Sequence, residues 1–140
     1  MVLNFLQQNL LNWFMRRTTS SAVRRVADLP MAIATDMGLV RKENQDRAAI
    51  LRVQLTEDMP TIIAVVCDGM GGMTDGAICS SLAISTFLSG YIQNINLPLK
   101  DRIVSSVMQA NDTVFAKYKN IMVAEALHCQ HSLLTIKKAS

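Results

Sequence analysis

Apolar positions fall at helical spacing near both ends of the chain and alternate, or run together, between them. Leu3, Leu6, Leu10 and Trp13 or Phe14 recur on one side of the first 17 residues, with Asn4, Gln8 and Asn12 opposite, which predicts an amphipathic helix. The Ser/Thr/Arg-rich stretch 16–25 reads as a linker. Met31 to Thr35 is a short strand candidate. From Ala48 to Leu55, Ala49, Leu51, Val53 and Leu55 alternate with Ala48, Ile50, Arg52 and Gln54, the period of a half-buried strand. Glu57-Asp58-Met59-Pro60 breaks that strand, and Thr61 to Val66 is an unbroken β-branched run that suits a buried one. No helix-length crossover separates the two, so they form a hairpin or meander.

Two helices are expected next. Asp75 can cap the first, which runs to about Ile92 with Ile78, Leu82, Leu88 and Ile92 inward and Gly90 fraying its end. Asn94 to Pro98 is the connection. The second carries Ile103, Val107, Ala110, Val114 and Tyr118 on one stripe, with Asp101 near its start and Lys117 and Lys119 near its end, as the helix dipole favours. Strands followed by a helix pair predict an α+β layered domain over residues 31–140, preceded by residues 1–30 as a helix and basic linker.

Charge and cysteine change this picture little. With 140 residues, half of them apolar, one domain with a core is the expectation. The formal charge of +3 is carried by Arg16, Arg17, Arg24 and Arg25 against Asp28. The rest is balanced, which argues against nucleic acid as a partner. Cys67, Cys79 and Cys129 form no CxxC pair and read as reduced thiols of a cytoplasmic protein. The N-terminal apolar stretch is too short and interrupted to span a bilayer, and its arginines follow it, unlike those of a signal peptide. A helix that packs on the domain or stays mobile is the favoured reading. An interfacial helix on anionic lipid is the other, since Trp13 and Phe14 abut Arg16 and Arg17.

The chemistry concentrates where the Thr61–Val66 run meets Asp68, Gly69, Gly71 and Gly72. A carboxylate at the end of a rigid strand, beside a carbonyl that no Cβ shields, suits a hard cation such as Mg²⁺ or Mn²⁺. Upstream lies Asp36-x-Gly38-x-x-Arg41-x-x-Asn44-Gln45-Asp46. Together the two segments resemble the metal-dependent protein phosphatases of the PPM (PP2C) type, particularly bacterial members, over roughly residues 31 to 120. The resemblance implies an αββα sandwich with two antiparallel sheets face to face, of which this chain is the first part. It implies that Asp68 bridges two Mg²⁺ or Mn²⁺ ions, that the Gly69 carbonyl completes one site, and that Asp46 holds the second metal directly or through water. Arg41 would bind the substrate phosphate with its planar fork of donors. Asn44 would stabilise the turn, and Asp36 and Gly38 would shape the loop. The implied reaction is hydrolysis of phosphoserine or phosphothreonine on a protein by a metal-activated water, in a pathway with a cognate Ser/Thr kinase. Two positions depart from the pattern: Gln45 stands where some members have glutamate, and Met70 where eukaryotic relatives often have a histidine.

Other motif readings are weaker. Gly69-x-Gly71 lacks a third glycine in phase for a dinucleotide fingerprint, and neither a P-loop nor an EF-hand pattern occurs. His128-Cys129-Gln130-His131 could contribute to a zinc site, but no fourth ligand is evident nearby. The family's later aspartates and its Gly-Thr-Thr strand have no counterpart after the second helix. The chain therefore reads as the N-terminal part of a phosphatase domain, cut short. The alternative is an inactive remnant or pseudophosphatase that acts, if at all, by binding. Either way the Asp46 and Asp68 carboxylates are expected within about 10 Å of one another, because oxygen ligands sit close to such ions.

Overall fold

The computed structural model describes residues 3–17, 21–26, 29–54, 60–69 and 75–118, and the backbone of 134–139. Element order is α1 (Phe5–Phe14), β1 (Ser21–Arg25), β2 (Ala32–Asp36), β3 (Arg47–Val53), β4 (Thr61–Cys67), α2 (Gly76–Gln93), α3 (Leu99–Tyr118) and β5 (Leu134–Ala139). This is an α+β chain. Strands β1 and β2 form a two-stranded antiparallel sheet, and β3-β4-β5 a three-stranded antiparallel one.

Strand β4 sorts its side chains by parity: Ile63, Val65 and Cys67 are buried, whereas Val66 between them is exposed. Ala49, Leu51 and Val53 of β3 pack against the same core, so the alternation read from the sequence places the inner face correctly. That face meets Ile84, Phe87, Leu88 and Tyr91 of α2 and Ala110 of α3. The α3 stripe is as expected, with Ala110, Val114 and Tyr118 buried and Ile103 and Val107 packed against the core.

Helix α2 differs from its expected one-sided pattern. It is buried nearly all round: Ile84, Phe87 and Tyr91 join Leu82 and Leu88 inside, and Ile78 and Ile92 lie only half-buried. Its polar residues remain inside because they bond within the helix. Ser81 donates to Ala77 O at 2.6 Å, Thr86 to Leu82 O at 2.8 Å and Ser85 to Leu82 O at 3.0 Å. Asp75 occupies the N-cap position, but its side chain makes no capping bond. Gly90 does not fray the end. It is buried within a helix that continues to Gln93, at a place where an added Cβ would overlap the side-chain oxygen of Gln109 on α3.

Helix α1 packs on α2. Phe14 enters the core, Gln7 donates from Nε2 to Thr86 Oγ1 at 2.7 Å, and Asn4 caps the Gln7 N–H at 2.8 Å. Phe5 and Trp13 stay outside. The stretch read as linker contains β1, whose residues Ser21 to Arg25 pair with Asp36 to Ala32. Alternation is hard to see there because Arg24 and Arg25 interrupt it. Among the described residues, no helix is long and apolar enough to cross a membrane.

Candidate functional site

The antiparallel register of β3 and β4 pairs Arg47 with Cys67. One step further out the two strands' flanking residues are Asp46 and Asp68, so the ladder itself delivers two carboxylates to one end of the sheet. A one-residue slip would set Asp46 against Cys67 or Gly69 instead. Gly69 closes the corner. Its N–H donates to Asp46 Oδ1 at 2.8 Å, and a Cβ in its place would overlap the Gln45 carbonyl. The Gln45 carbonyl oxygen also accepts from Ser80 Oγ of α2, which ties the corner to the helix layer.

Asp46 and Asp68 are both exposed, and their charges interact. The Asp68 pKa lies above the ordinary carboxylate value. Partial desolvation is the larger cause, followed by the hydrogen bond and negative charge of Asp46, while the positive charge of Arg41 opposes them. Arg41 itself is exposed, on the loop between β2 and β3. That loop is shaped as expected: Gly38 has φ +72° and donates its N–H to Asp36 Oδ1 at 2.6 Å. Asn44 is buried, donates from Nδ2 to Thr35 Oγ1, and accepts from the Asp46 N–H at 3.0 Å. The four residues that the sequence nominated, Arg41, Asp46, Asp68 and Gly69, thus share one corner.

Arg47, beside Asp46, was missed as a candidate of any kind. Only 6% exposed, it donates from Nε to the Phe14 carbonyl at 2.7 Å and to Ser81 Oγ at 3.1 Å. Its Nη1 donates to the Asn44 and Asp46 carbonyls, both at 2.8 Å. One guanidinium thereby closes the carbonyl end of α1 and holds the backbone on which Asp46 is mounted. Burial lowers the Arg47 pKa, and the charges of Glu43 and Asp46 push it back up. A single arginine at a strand start gives no sequence signal for this, because its acceptors are mostly backbone carbonyls. On the inner side, burial pushes the Cys67 thiol up to about 12, and Cys79 is likewise a buried free thiol.

The donor set fits a hard cation at an open corner: two carboxylates, one carrying an unfavourable like charge, beside the Gly69 backbone. Among the described residues no group of three or more His, Cys, Asp or Glu side chains converges as a metal cage. An ion held here would keep water on its remaining positions, as Mg²⁺ commonly does. His128, Cys129 and His131, weighed as zinc ligands, lie outside the described residues, as does Met70. No protein family, curated protein or solved structure matches the chain.

Proposed function

We propose that this corner is the metal and phosphate end of a PPM-type serine/threonine phosphatase site, in which Asp46, Asp68 and the Gly69 carbonyl hold Mg²⁺ or Mn²⁺ and Arg41 receives the substrate phosphate. The observation that carries the reading is the convergence of Asp46 and Asp68 from paired strands with Arg41 in electrostatic reach. A bound ion would supply a water of lowered pKa for attack at phosphorus. The chain's own residues do the rest. The Gly69 N–H fixes the orientation of the Asp46 carboxylate, and Arg41 neutralises and orients phosphoryl oxygens. The partners are then a phosphoprotein substrate and a kinase of the same pathway, in the cytoplasm. An αββα sandwich is the architecture this reading implies. Its support is a sheet with helices on one face and the 46% exposed Val66 on the other.

A second reading is favoured by the small donor set: with two converging carboxylates among the described residues, the corner binds an ion or a phosphoprotein without turnover. Mn²⁺ titration followed by electron paramagnetic resonance, alongside hydrolysis of p-nitrophenyl phosphate, decides between them. Mn²⁺ binding that both Asp46→Asn and Asp68→Asn abolish supports the site. Turnover that Asp68→Asn also abolishes makes it an enzyme, and binding without turnover makes it a binding module. Mn²⁺ binding indifferent to both substitutions sinks the proposal.

A further inference from the structure

A groove of about 620 Å³ runs alongside the corner, between the end of α1, the β1–β2 sheet and the outer face of β3 and β4. Trp13 and Val66 give it apolar surface, Arg16, Arg17 and Arg24 line it, and Asp46 stands in its wall. We infer that this groove receives an acidic stretch of polypeptide flanking the phosphorylated residue of the substrate, an inference that rests on the phosphatase reading of the corner.

The argument is one of charge. The chain's net positive charge arises in residues 1–30, and three of the four arginines there are gathered on this one surface. None of these three guanidiniums is in an ion pair among the described residues. The groove's other charged groups are Arg47, Asp36 and Asp46, so four arginines face two aspartates. One accepted N–H bond leaves each aspartate its charge, and the balance of the groove is still cationic. Exposed guanidiniums recognise carboxylates in paired, planar geometry, and a half-exposed tryptophan and valine add an apolar contact for one or two side chains. Because Asp46 belongs both to the groove and to the corner, a chain lying in the groove leads straight to the place where its phosphate would be held.

Anionic lipid would satisfy the same arginines, but a bilayer surface meets what protrudes, such as the 86% exposed Phe5, and not a hollow between two sheets.

The test uses fluorescence anisotropy with labelled serine peptides flanked by glutamates or by lysines, each with and without the phosphate. The glutamate-flanked peptides should bind more tightly than the lysine-flanked ones, and less so as salt is raised. Reversing Arg16 and Arg17 to Glu together, or Arg24→Glu, should weaken that binding about tenfold, as the loss of a few exposed charge pairs would. Mn²⁺ binding should be retained or tightened in these variants, since the added negative charge attracts the cation. Binding indifferent to the sign of the flanks, or to the arginine reversals, overturns the inference. So does a result in which the reversals abolish adsorption to phosphatidylserine vesicles and leave peptide binding intact, which would assign the arginines to a membrane surface. Arginine-dependent binding of acidic peptides without Mn²⁺ binding at Asp46 and Asp68 would keep the groove as a peptide site and overturn the phosphatase reading instead.

Discussion

Arg47 and Asp68 lie one ladder step apart, yet the structure treats their charges in opposite ways. The Arg47 guanidinium is buried and donates to three carbonyls and a hydroxyl from three different segments. The Asp68 carboxylate is exposed, faces another carboxylate, and has its pKa raised by partial desolvation and then by that neighbour. A charge with its bonds satisfied inside the protein is there to hold the fold. A pair of like charges left facing one another at a surface makes the fold no more stable, and in the proposed reading its use is to hold a cation. The contrast separates scaffold from chemistry at a scale of one residue.

The largest effect is expected on the scaffold side. Arg47→Met keeps a long apolar stem but strands the Asn44 and Asp46 carbonyls and leaves the Phe14 carbonyl only its 3.2 Å bond from Ser81 Oγ. Leaving buried acceptors unpaired should destabilise the chain by about 3 kcal/mol. Urea denaturation followed by circular dichroism measures it. A loss under about 1 kcal/mol would show that these bonds are replaceable by water and that Arg47 is no keystone.

Two glycines sharpen the same point with smaller effects. At Gly69 an added Cβ meets the Gln45 backbone, which cannot move without disturbing the strand ends. Gly69→Ala should therefore cost about 2 kcal/mol, as overpacking does, and should weaken Mn²⁺ binding as well. At Gly90 the nearest obstruction is the end of the flexible, exposed Gln109 side chain. That can swing away, so Gly90→Ala should gain about 0.5 kcal/mol from helix propensity. Equal losses at both positions in thermal unfolding would refute the distinction between a rigid and a yielding neighbour.

The inner half of this architecture is legible in the sequence. The alternation of Ala49, Leu51 and Val53 fixes the face of β3, the β-branched run fixes β4, and the stripe from Ile103 to Tyr118 fixes α3. The meeting of Asp46 and Asp68 follows from two strands joined by the short Glu57–Pro60 break. Other features left no such pattern. The burial of α2 all round depends on serines whose hydroxyls bond to their own helix, and a serine looks the same in sequence whether it faces water or a carbonyl. Strand β1 is obscured by Arg24 and Arg25, and β5 pairs with β4 across a long separation that local periodicity does not register. The task of Arg47 is written in backbone carbonyls, which have no residue signature. The corner's own residues form a motif in the sequence; the parts that keep it rigid do not.

The smallest expected effect falls on the chemical side. Asp68 has a raised pKa in the folded chain, so its ionised form weakens the fold relative to its protonated form. The penalty is absent where the carboxyl is protonated in both states, grows as pH rises from the ordinary carboxylate value through the folded one, and is constant above that. Asp68→Asn removes it. Because the group is exposed and screened by solvent, the gain near neutral pH should be only a few tenths of a kcal/mol, and it should vanish as pH falls below about 4. Added Mn²⁺ should then reverse the order, stabilising the native sequence and not the variant, since a ligand that binds only the folded state adds to its stability. Denaturation midpoints across pH, with and without Mn²⁺, read all of this. A variant less stable than the native chain at neutral pH without Mn²⁺ would mean that the Asp68 carboxylate is held by favourable contacts of its own, and the contrast with Arg47 would be lost.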